Sequence, residues 1–556
     1  MLHNIMSETI DVIKVENQTK QLIDRLKATC AQYGLGNDGN EYKIITQIFL
    51  YKYMNDMFGH EAKMVNDRLG HADQWDVEYD KFTEEEEDDL FTYLPEGTPC
   101  FRHEHTLAHL INASKRADFA DIFDSTLLAI ADLNADIFSM ATSGNTKITI
   151  FERLTPLINE VDQRNNFAAA LVSHLATFDF ESIFAEKYDF FSTIFEYLIK
   201  DYNKDGGGKY AEYYTPKSVA TIMARMLVPD DSNIRSVTCY DPAAGSGTLL
   251  MALAHQIGER RCQIYSQDIS QKSSQMLRLN LILNRLVGSI QNIVKGDTLA
   301  APFHKEPNGS LRKFDFIVSN PPFNLDFSDT RDTLAADTHR FFAGVPAATG
   351  KDKSKMAIYL CFVQHILCSL SKTGKAAIVV PTGFITAASG IAYKIRERII
   401  NEGWLRGVVS MPSNIFATTG TNVSVLFIDK DNRQQNIVLM DASKLGEKKK
   451  VDGNQRTILL ADDIEKIITT FNNRKAIDDF SVLVTTDQIK EKNYSFSAGQ
   501  YFDIKIDYVD ITEDEFNQRI ADYKSTLARQ FAESHRLEEE IMKQLERLHL
   551  NPNAGK

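Results

Sequence analysis

The sequence predicts an α/β fold in which a helical N-terminal domain precedes a mostly parallel, doubly wound sheet, and a C-terminal helical tail follows it. Three observations lead to this prediction. Apolar residues recur at helical spacing over residues 41–58, β-rich runs alternate with helical patterns between residues 236 and 428, and a long charged helical pattern covers residues 513–550. Strands that alternate with helices are typical of a parallel sheet covered on both faces.

The composition is that of a globular protein of several domains, with 556 residues of which 43% are hydrophobic and 25% charged. No run approaches the ~18 apolar residues of a membrane span, and the first residues lack the pattern of a signal peptide. We therefore expect a soluble, cytoplasmic protein with no membrane partner. Six cysteines without CxxC spacing predict neither a metal site nor a disulfide framework.

The formal net charge of −14 disfavours a protein that coats nucleic acid by bulk electrostatics. A function on DNA would require a local basic cleft or a partner. The acidic run at residues 84–89 is interpreted as a solvated loop or the start of a helix, with DNA mimicry or partner docking as the alternative.

The chain is predicted to contain four segments. Few strand signals interrupt residues 1–200, the helical N-terminal domain, and three glycines at 206–208 mark its junction with the sheet domain. The sheet domain covers residues 201–430, a small mixed extension covers 431–511, and a partner-docking helix covers 512–556. The predicted strands of the sheet are 236–240, 263–266, 291–295, 314–319, 375–380, 405–410 and 423–428.

One broken apolar stripe runs along the terminal helix and either docks on the parent domain or binds a partner. Its members are Phe516, Ile520, Tyr523, Leu527, Phe531, Leu537, Ile541 and Leu545.

The first strand of the sheet leads through a glycine-containing turn, residues 241–247, directly into a helix. Glycines let the backbone approach a ligand, and a helix N-terminus offers unpaired N–H groups. The GxGxxG spacing of dinucleotide sites is absent, and the acid that opens the turn suits an ammonium group better than a pyrophosphate. S-adenosylmethionine carries such an ammonium group. The candidate cofactor-binding residues in this turn are Asp241, Ala243, Gly245, Ser246 and Gly247.

Two further acids follow the next strands. Asp268 could accept hydrogen bonds from both ribose hydroxyls, and Asp297 could accept one from an exocyclic amine. A single aspartate at a strand end is more often a helix cap or turn residue. The ordered series of three acids favours a nucleoside bound across the ends of the strands.

The fourth strand is followed by Asn320, Pro321, Pro322 and Phe323. A side-chain amide held by two prolines beside an aromatic ring suits the binding of a planar amine, such as that of a nucleobase. We predict these four residues to be catalytic. A mechanism at cytosine C5 would need a cysteine nucleophile after proline here, and the only Pro-Cys pair, at residues 99–100, lies in the helical domain.

A polar and aromatic segment lies upstream of the sheet. It could be a plain helix entry, with Thr215 as the N-cap and Pro216 at the first helical position. That alternative does not explain the preceding aromatic pair. The candidate cofactor-binding residues in this segment are Glu212, Tyr213, Tyr214, Thr215, Pro216 and Lys217.

Taken together, these motifs resemble the methylation subunits of type I restriction-modification systems, which are N6-adenine DNA methyltransferases. The resemblance covers nearly the whole chain and implies a Rossmann-like methyltransferase sheet, S-adenosylmethionine as cofactor and a flipped adenine as substrate. The matching segments are residues 41–58, 212–216, 241–247, 320–323, 340–346, 376–396 and 410–417, with Thr419 and Gly420.

The resemblance also implies roles for residues and partners. The Asn320 side-chain oxygen and the Pro321 carbonyl would accept the two N6 hydrogens, while Phe323 stacks on the extruded base. Apart from the resemblance, the polar segment 324–356, with Lys351, Lys353 and Lys355, is predicted to be a long loop that closes over DNA or the extruded base. A surface insertion with incidental charge is the alternative.

No aromatic-basic cluster suited to base-edge reading precedes the terminal helix. The family resemblance implies that a separate specificity subunit reads the site. The implied partners are double-stranded DNA, that specificity subunit, a second methylation subunit and a motor endonuclease subunit. Two alternatives stay open: a methyltransferase acting on RNA or on protein glutamine, and a non-catalytic scaffold of a defence complex.

Overall fold

The computed structural model describes residues 2–36, 39–142, 147–184, 215–229, 234–348, 352–416, 422–432, 436–451, 454–502 and 511–546. The chain divides into two compact units, Met1–Phe502 and Asp503–Lys556. Among the described residues, no helix is long and apolar enough to cross a membrane.

The N-terminal part of the first unit is mostly helical. Its central helix, α2, is buried along much of its length by residues such as Ile45, Phe49 and Phe58. The helices are α1 (Leu2–Gln32), α2 (Gly39–Val65), α3 (Asp67–Gly70), α4 (Trp75–Tyr79), α5 (Glu84–Tyr93), α6 (Leu107–Ala113), α7 (Phe119–Leu133), α8 (Ala135–Phe138), α9 (Arg164–Leu175) and α10 (Glu181–Phe184).

The acidic run is the start of α5. Thr83 caps this helix in a capping box, in which the Glu86 backbone N–H donates to the Thr83 hydroxyl and the Glu86 carboxylate accepts from the Thr83 backbone N–H. Acidic side chains in a first turn also complement the helix dipole. The run therefore has a local structural explanation.

The described strands form one large sheet and one separate hairpin. In the large sheet, eleven described strands lie in the order β13, β10, β8, β9, β7, β6, β3, β4, β5, β1, β2, while β11 pairs only with β12. The strands are β1 (Met140–Thr142), β2 (Lys147–Ile148), β3 (Val237–Asp241), β4 (Cys262–Asp268), β5 (Ile293–Lys295), β6 (Phe314–Ser319), β7 (Leu370–Pro381), β8 (Leu405–Ser410), β9 (Val423–Asp429), β10 (Ile437–Asp441), β11 (Glu447–Val451), β12 (Asn454–Ile458) and β13 (Ser481–Val484).

The centre of the sheet is parallel and buried on both faces. Strands β5, β4, β3, β6 and β7 pair in parallel, whereas β9 is antiparallel to both of its neighbours. Cys239 and Val318 pack in one apolar cluster, while their chain neighbours Tyr240 and Ile317 pack in another. The predicted mostly parallel, doubly wound sheet is thus confirmed.

Helices follow most strands of the sheet and cover its faces. They are α11 (Lys217–Leu227), α12 (Thr248–Ile257), α13 (Gln271–Leu283), α14 (Arg331–Ala336), α15 (Tyr359–Ser369), α16 (Thr382–Thr386), α17 (Gly390–Asn401), α18 (Ala461–Asn472) and α19 (Thr486–Glu491).

The N-terminal part also contributes to the sheet, which the sequence did not predict. Strand β1 pairs in parallel with β5, and β2 pairs with β1. The buried Arg278 guanidinium fixes this addition, because it donates to the backbone carbonyls of Phe138 and Thr149 on either side of the two strands. Strands of two or three residues are too short to show a period-two pattern in a sequence.

The proposed domain boundaries near residues 200 and 430 both fall within the first compact unit and stay predictions. In the second unit, α20 (Glu513–Glu546) is one long helix, and the predicted stripe residues along it are exposed.

Candidate functional site

The site is built at the edge of the sheet where the parallel strands end. In the register, Asp241 of β3 lies beside Ser266 of β4, and Tyr240 lies beside Ile317 of β6. The last residues of β3, β4 and β6 therefore lie at the same edge, where open α/β sheets bind ligands. Asn320 directly follows β6 at this edge.

Asp241 lies at the floor of the site and is buried, with 1% of its surface exposed. Its Oδ1 accepts hydrogen bonds from the Ala243 backbone N–H at 2.9 Å and from the Ser319 hydroxyl at 2.8 Å. Burial raises the pKa of Asp241 from its ordinary 3.8 to about 7, against the lowering effect of these two donors. A buried carboxylate of this kind favours the approach of a cation.

The turn after Asp241 needs its glycines. Gly245 and Gly247 have φ angles of +53° and +84°, which L-residues rarely adopt. A side chain at Gly247 would also overlap Leu277 of α13. The Asn280 amide donates to the Ser246 carbonyl at 3.1 Å and fixes the turn against the same helix.

Asp268 joins this turn to the next strand. Its carboxylate accepts from the Gly245 backbone N–H at 3.0 Å and from the Ser270 N–H at 2.8 Å. Burial raises the pKa of Asp268, and the two N–H donors lower it. Its backbone carbonyl accepts from the Gly296 N–H at 2.9 Å, which ties β4 to the segment that carries Asp297.

Asp297 is half-buried and has the geometry of a turn residue. Its Oδ1 accepts from the backbone N–H groups of Leu299 at 2.9 Å and Ala300 at 3.0 Å. Both of these bonds use one oxygen, so Oδ2 is available to another donor. The neighbouring Thr298 hydroxyl donates to the carbonyls of Pro242 and Gln267, and so joins three segments of the site.

The Asn320 side chain is held by Thr215. Its Nδ2 donates to the Thr215 hydroxyl at 3.2 Å, and Thr215 is only 5% exposed. The alternative in which Thr215 caps the following helix is wrong, because the N-cap of α11 is Pro216 and no side chain caps that helix. The extended ψ of 139° at Pro216 separates Thr215 from the first helical turn. With its nitrogen engaged by Thr215, the Asn320 amide has its oxygen available to a donor.

The residues after Asn320 form a wall of the site. Pro321 is buried, whereas Pro322 and Phe323 are half-buried. The Phe323 ring makes an edge-to-face contact with Tyr359, with ring centroids 6.1 Å apart and planes at 71°. This contact fixes the ring while part of it stays accessible.

The structure places Asp241, Asp268, Asp297 and Asn320 at the ends of neighbouring parallel strands, each held by its own hydrogen bonds. Lys217 is the exposed first residue of α11. Three candidates, Glu212, Tyr213 and Tyr214, lie outside the described residues, as do Lys351, Thr419 and Gly420.

Sequence reasoning missed the supporting residues Ser319, Thr298 and Tyr359. Ser319 is the one polar residue between the apolar part of β6 and Asn320, and Thr298 directly follows Asp297. Each of these two polar residues is a chain neighbour of a predicted site residue, and this proximity could have identified them. Nothing in the sequence pairs Tyr359 with Phe323, because the two residues lie on either side of a long segment.

The segment 324–356 is more structured than the predicted loop. It contains α14, and Phe327, Leu334 and Phe341 form a small apolar cluster beside the sheet. Arg340 is buried and donates to the Leu299 carbonyl at 2.6 Å, so it supports the site and does not face solvent. The lysines Lys353 and Lys355 are exposed.

The chain is similar in sequence to one protein family and to named proteins of known class. A family model described as N-6 DNA Methylase matches residues 186–508. The type I restriction enzyme MpnII methylase subunit of Mycoplasma pneumoniae is 30% identical over 341 residues, which are 60% of this chain and 60% of that protein. The HindI methylase subunit of Haemophilus influenzae is 26% identical over 437 residues, covering 75% of this chain and 92% of the relative.

A solved structure shows the same fold. The type I restriction-modification system methyltransferase subunit from Streptococcus thermophilus has a TM-score of 0.66 and 23% identity, covering 88% of this chain and 100% of that chain. Because the family model spans more than half of the chain, the chain belongs to the N-6 DNA methylase family, and its predicted resemblance to type I methylation subunits is confirmed.

Proposed function

We propose that this protein transfers a methyl group from S-adenosylmethionine to N6 of a flipped-out adenine in double-stranded DNA. The observation that carries the proposal is the orientation of the Asn320 amide, whose nitrogen is held by Thr215 and whose oxygen is available beside the half-buried Phe323. Family membership supports the reaction class.

The donor set fits the proposed cofactor. Among the described residues, no lysine or arginine forms an ion pair with Asp241, so the ammonium group of the cofactor would supply the missing positive charge. Asp268 would hold the ribose hydroxyls and Asp297 the exocyclic amine, through lone pairs that their backbone donors leave available. Ala243, Gly245, Ser246 and Gly247 would line the turn. The family resemblance implies cofactor contacts for residues 212–217, and of these we assign Thr215 to holding the Asn320 amide.

When bound, S-adenosylmethionine supplies an electrophilic methyl group for direct in-line displacement. The Asn320 Oδ1 and the Pro321 carbonyl oxygen each accept a hydrogen bond from the N6 amino group. These two hydrogen bonds orient the lone pair of the nitrogen. Phe323 stacks on the extruded base and replaces the stacking that the base loses when it leaves the duplex. No covalent intermediate is needed, since holding two reactants in near-attack geometry contributes roughly 7–11 kcal/mol.

The central test is Asn320→Ala in the chain co-expressed with its specificity partner. We expect methylation to fall by at least ~10²-fold, because one of the polar contacts that stabilise the transition state is removed. Cofactor affinity should stay close to that of the wild type, because Asn320 lies outside the cofactor residues. Sequencing of modified bases in cellular DNA measures the first quantity, and calorimetry with S-adenosylmethionine measures the second.

The matched control is Asn401→Ala, which removes the exposed asparagine at the C-terminal end of α17, away from the strand ends that carry Asn320. This variant should methylate DNA normally. Near-normal N6-adenine methylation by Asn320→Ala would defeat the assignment. Methyl transfer to RNA or to protein glutamine, with none to DNA, would favour the first alternative, and the absence of cofactor binding in the wild type would favour the scaffold.

The proposed partners are double-stranded DNA and a specificity subunit that reads the site, together with a second methylation subunit and a motor endonuclease subunit. The relatives with type I names support this part of the proposal. We assign the docking of the specificity subunit to α20, whose exposed apolar stripe extends along the helix with one break between Phe531 and Leu537.

A further inference from the structure

Strands β11 and β12 form a hairpin that is rich in positive charge. Residues 447–458 contain four cationic side chains and two acidic ones, in a chain whose formal net charge is −14. The three lysines of β11 are exposed. The cations are Lys448, Lys449, Lys450 and Arg456.

The hairpin places like charges opposite each other. In the register, Lys449 pairs directly with Arg456, so both side chains project from one face. Directly opposed like charges destabilise a hairpin. Lys449 forms an ion pair with Glu447 at 2.8 Å, whereas the buried Nε atom of Arg456 has no hydrogen-bond partner among the described residues. An anionic partner would relieve this arrangement.

The hairpin is fixed to the segment that follows β8. The Thr457 backbone N–H donates to the Asn414 carbonyl at 3.1 Å, and the Thr457 hydroxyl donates to the Ser413 carbonyl at 2.7 Å. Thr457 is buried, with 5% of its surface exposed. The charged strands are therefore held in a defined position on the protein.

That position is at the edge of the sheet that carries Asn320. Strands β6, β7, β8 and β10 run in the same direction, and the hairpin leaves β10 at its C-terminal end. Four strand spacings separate β10 from β6, which at ~4.8 Å each corresponds to roughly 19 Å. The residues in register across these strands are Ser319, Ile378, Leu426, Val408 and Leu439.

We propose that the β11–β12 hairpin binds the phosphate backbone of the DNA duplex, about half a helical turn from the target base. This rests on the proposed function, which places that base beside Asn320. A duplex turn is ~34 Å long and carries one phosphate charge per ~1.7 Å of axis. A cationic hairpin that leaves the sheet four strand spacings from β6, at the edge that carries Asn320, can therefore meet the same duplex. Phosphate contacts hold the duplex in register and carry no sequence information.

The test replaces Lys448, Lys449 and Lys450 with glutamine in the assembled complex, which removes the charge and retains most of the side-chain stem. DNA affinity is measured by fluorescence anisotropy between ~50 and ~200 mM salt. Each lost phosphate contact lowers the salt slope by about 0.9. Because Lys448 and Lys450 project from one face of β11 and Lys449 from the other, the slope should fall by about one to two. At ~150 mM salt we expect Kd for DNA to rise about tenfold or more, with cofactor affinity and kcat at saturating DNA unchanged.

The matched control replaces three exposed lysines at the opposite edge of the sheet. Lys372 lies near the start of β7, and Lys490 and Lys492 follow the end of β13, which runs antiparallel to β10. The Lys372→Gln, Lys490→Gln, Lys492→Gln variant should retain the wild-type slope.

Two outcomes would overturn the hairpin proposal. In the first, the hairpin variant shows the same salt slope and Kd as the control. In the second, the hairpin variant fails to co-purify with the specificity subunit, which would make the hairpin a protein-docking surface. Failure of the proposed function is distinguishable, because the wild-type complex would then transfer no methyl group to DNA.

Discussion

At the scale of single residues, the hydrogen bond between Thr215 and Asn320 holds the side-chain amide in a fixed position beside Phe323. Thr215→Val removes the hydroxyl that accepts from Nδ2 and frees the amide to rotate. We expect kcat for DNA methylation to fall about tenfold, which corresponds to the loss of one buried hydrogen bond, while Kd for S-adenosylmethionine changes less than about twofold. Steady-state kinetics and calorimetry measure the two quantities.

Thr215→Ser is the control for this prediction, because it restores the hydroxyl. It should recover most of the lost kcat. If Thr215→Val instead weakens cofactor binding and leaves kcat at saturating cofactor intact, Thr215 is a cofactor-binding residue, as the motif resemblance implies, and not a positioning residue for Asn320.

Asp241 allows a second prediction about a single residue. Its pKa is raised by burial from 3.8 to about 7, so the stability contributed by the protonated carboxyl is fully present below pH 3.8 and is lost as the pH rises through 7. Each pKa unit corresponds to ~1.4 kcal/mol, so the difference is roughly 4 kcal/mol. Asp241→Asn should therefore unfold at higher urea concentration than the wild type at pH 8 and at a similar concentration at pH 4.

The same variant should bind S-adenosylmethionine at least about tenfold more weakly, because the ammonium group loses its carboxylate. Higher stability combined with weaker binding would show that this residue is retained for function at a cost in folding free energy. Equal urea midpoints of the two proteins at pH 8 would contradict the raised pKa, and normal affinity would contradict the cofactor role.

At the scale of elements, helix α20 provides the test of partner assembly. Leu527 and Phe531 lie on the apolar stripe and are exposed. Leu527→Asp with Phe531→Asp should prevent co-purification with the specificity subunit, because two charges would enter an apolar contact. Removal of residues 512–556 should have the same effect, and cofactor binding should survive both changes.

The control for the helix introduces two acids on its other side, at Gln518 and Ser525, which are seven residues apart and off the stripe. This Gln518→Asp, Ser525→Asp variant should assemble normally. Intact assembly of the stripe variant on size-exclusion chromatography would refute the role of α20 in docking.

At the scale of the whole molecule, the sequence predicted the central strands well because they are apolar and end in polar residues at one edge. Asp241 and Asp268 end their strands, and Asp297 and Asn320 follow theirs, close to the predicted positions. Strands β1, β2, β10, β11, β12 and β13 were not predicted. Strand β1 is very short, and β11 contains three consecutive lysines, so neither shows the apolar pattern on which strand prediction depends.

Contacts between distant segments were also beyond the sequence. The pairing of Thr215 with Asn320 joins residues 105 positions apart, and the local pattern at Thr215 suggested a helix cap. The Thr215 hydroxyl could cap the next helix or bond Asn320, and the tertiary fold selects the second partner. A local sequence pattern does not contain that information.

The pairing of β1 with β5 gives the N-terminal part of the chain a direct mechanical connection to the site. Thr142 lies beside Lys295, two residues before Asp297. The strand that precedes the carboxylate proposed to hold the exocyclic amine of the cofactor is therefore held in the sheet by backbone hydrogen bonds from the N-terminal part of the chain. Loss of that part would leave β5 as an unpaired edge strand next to the site.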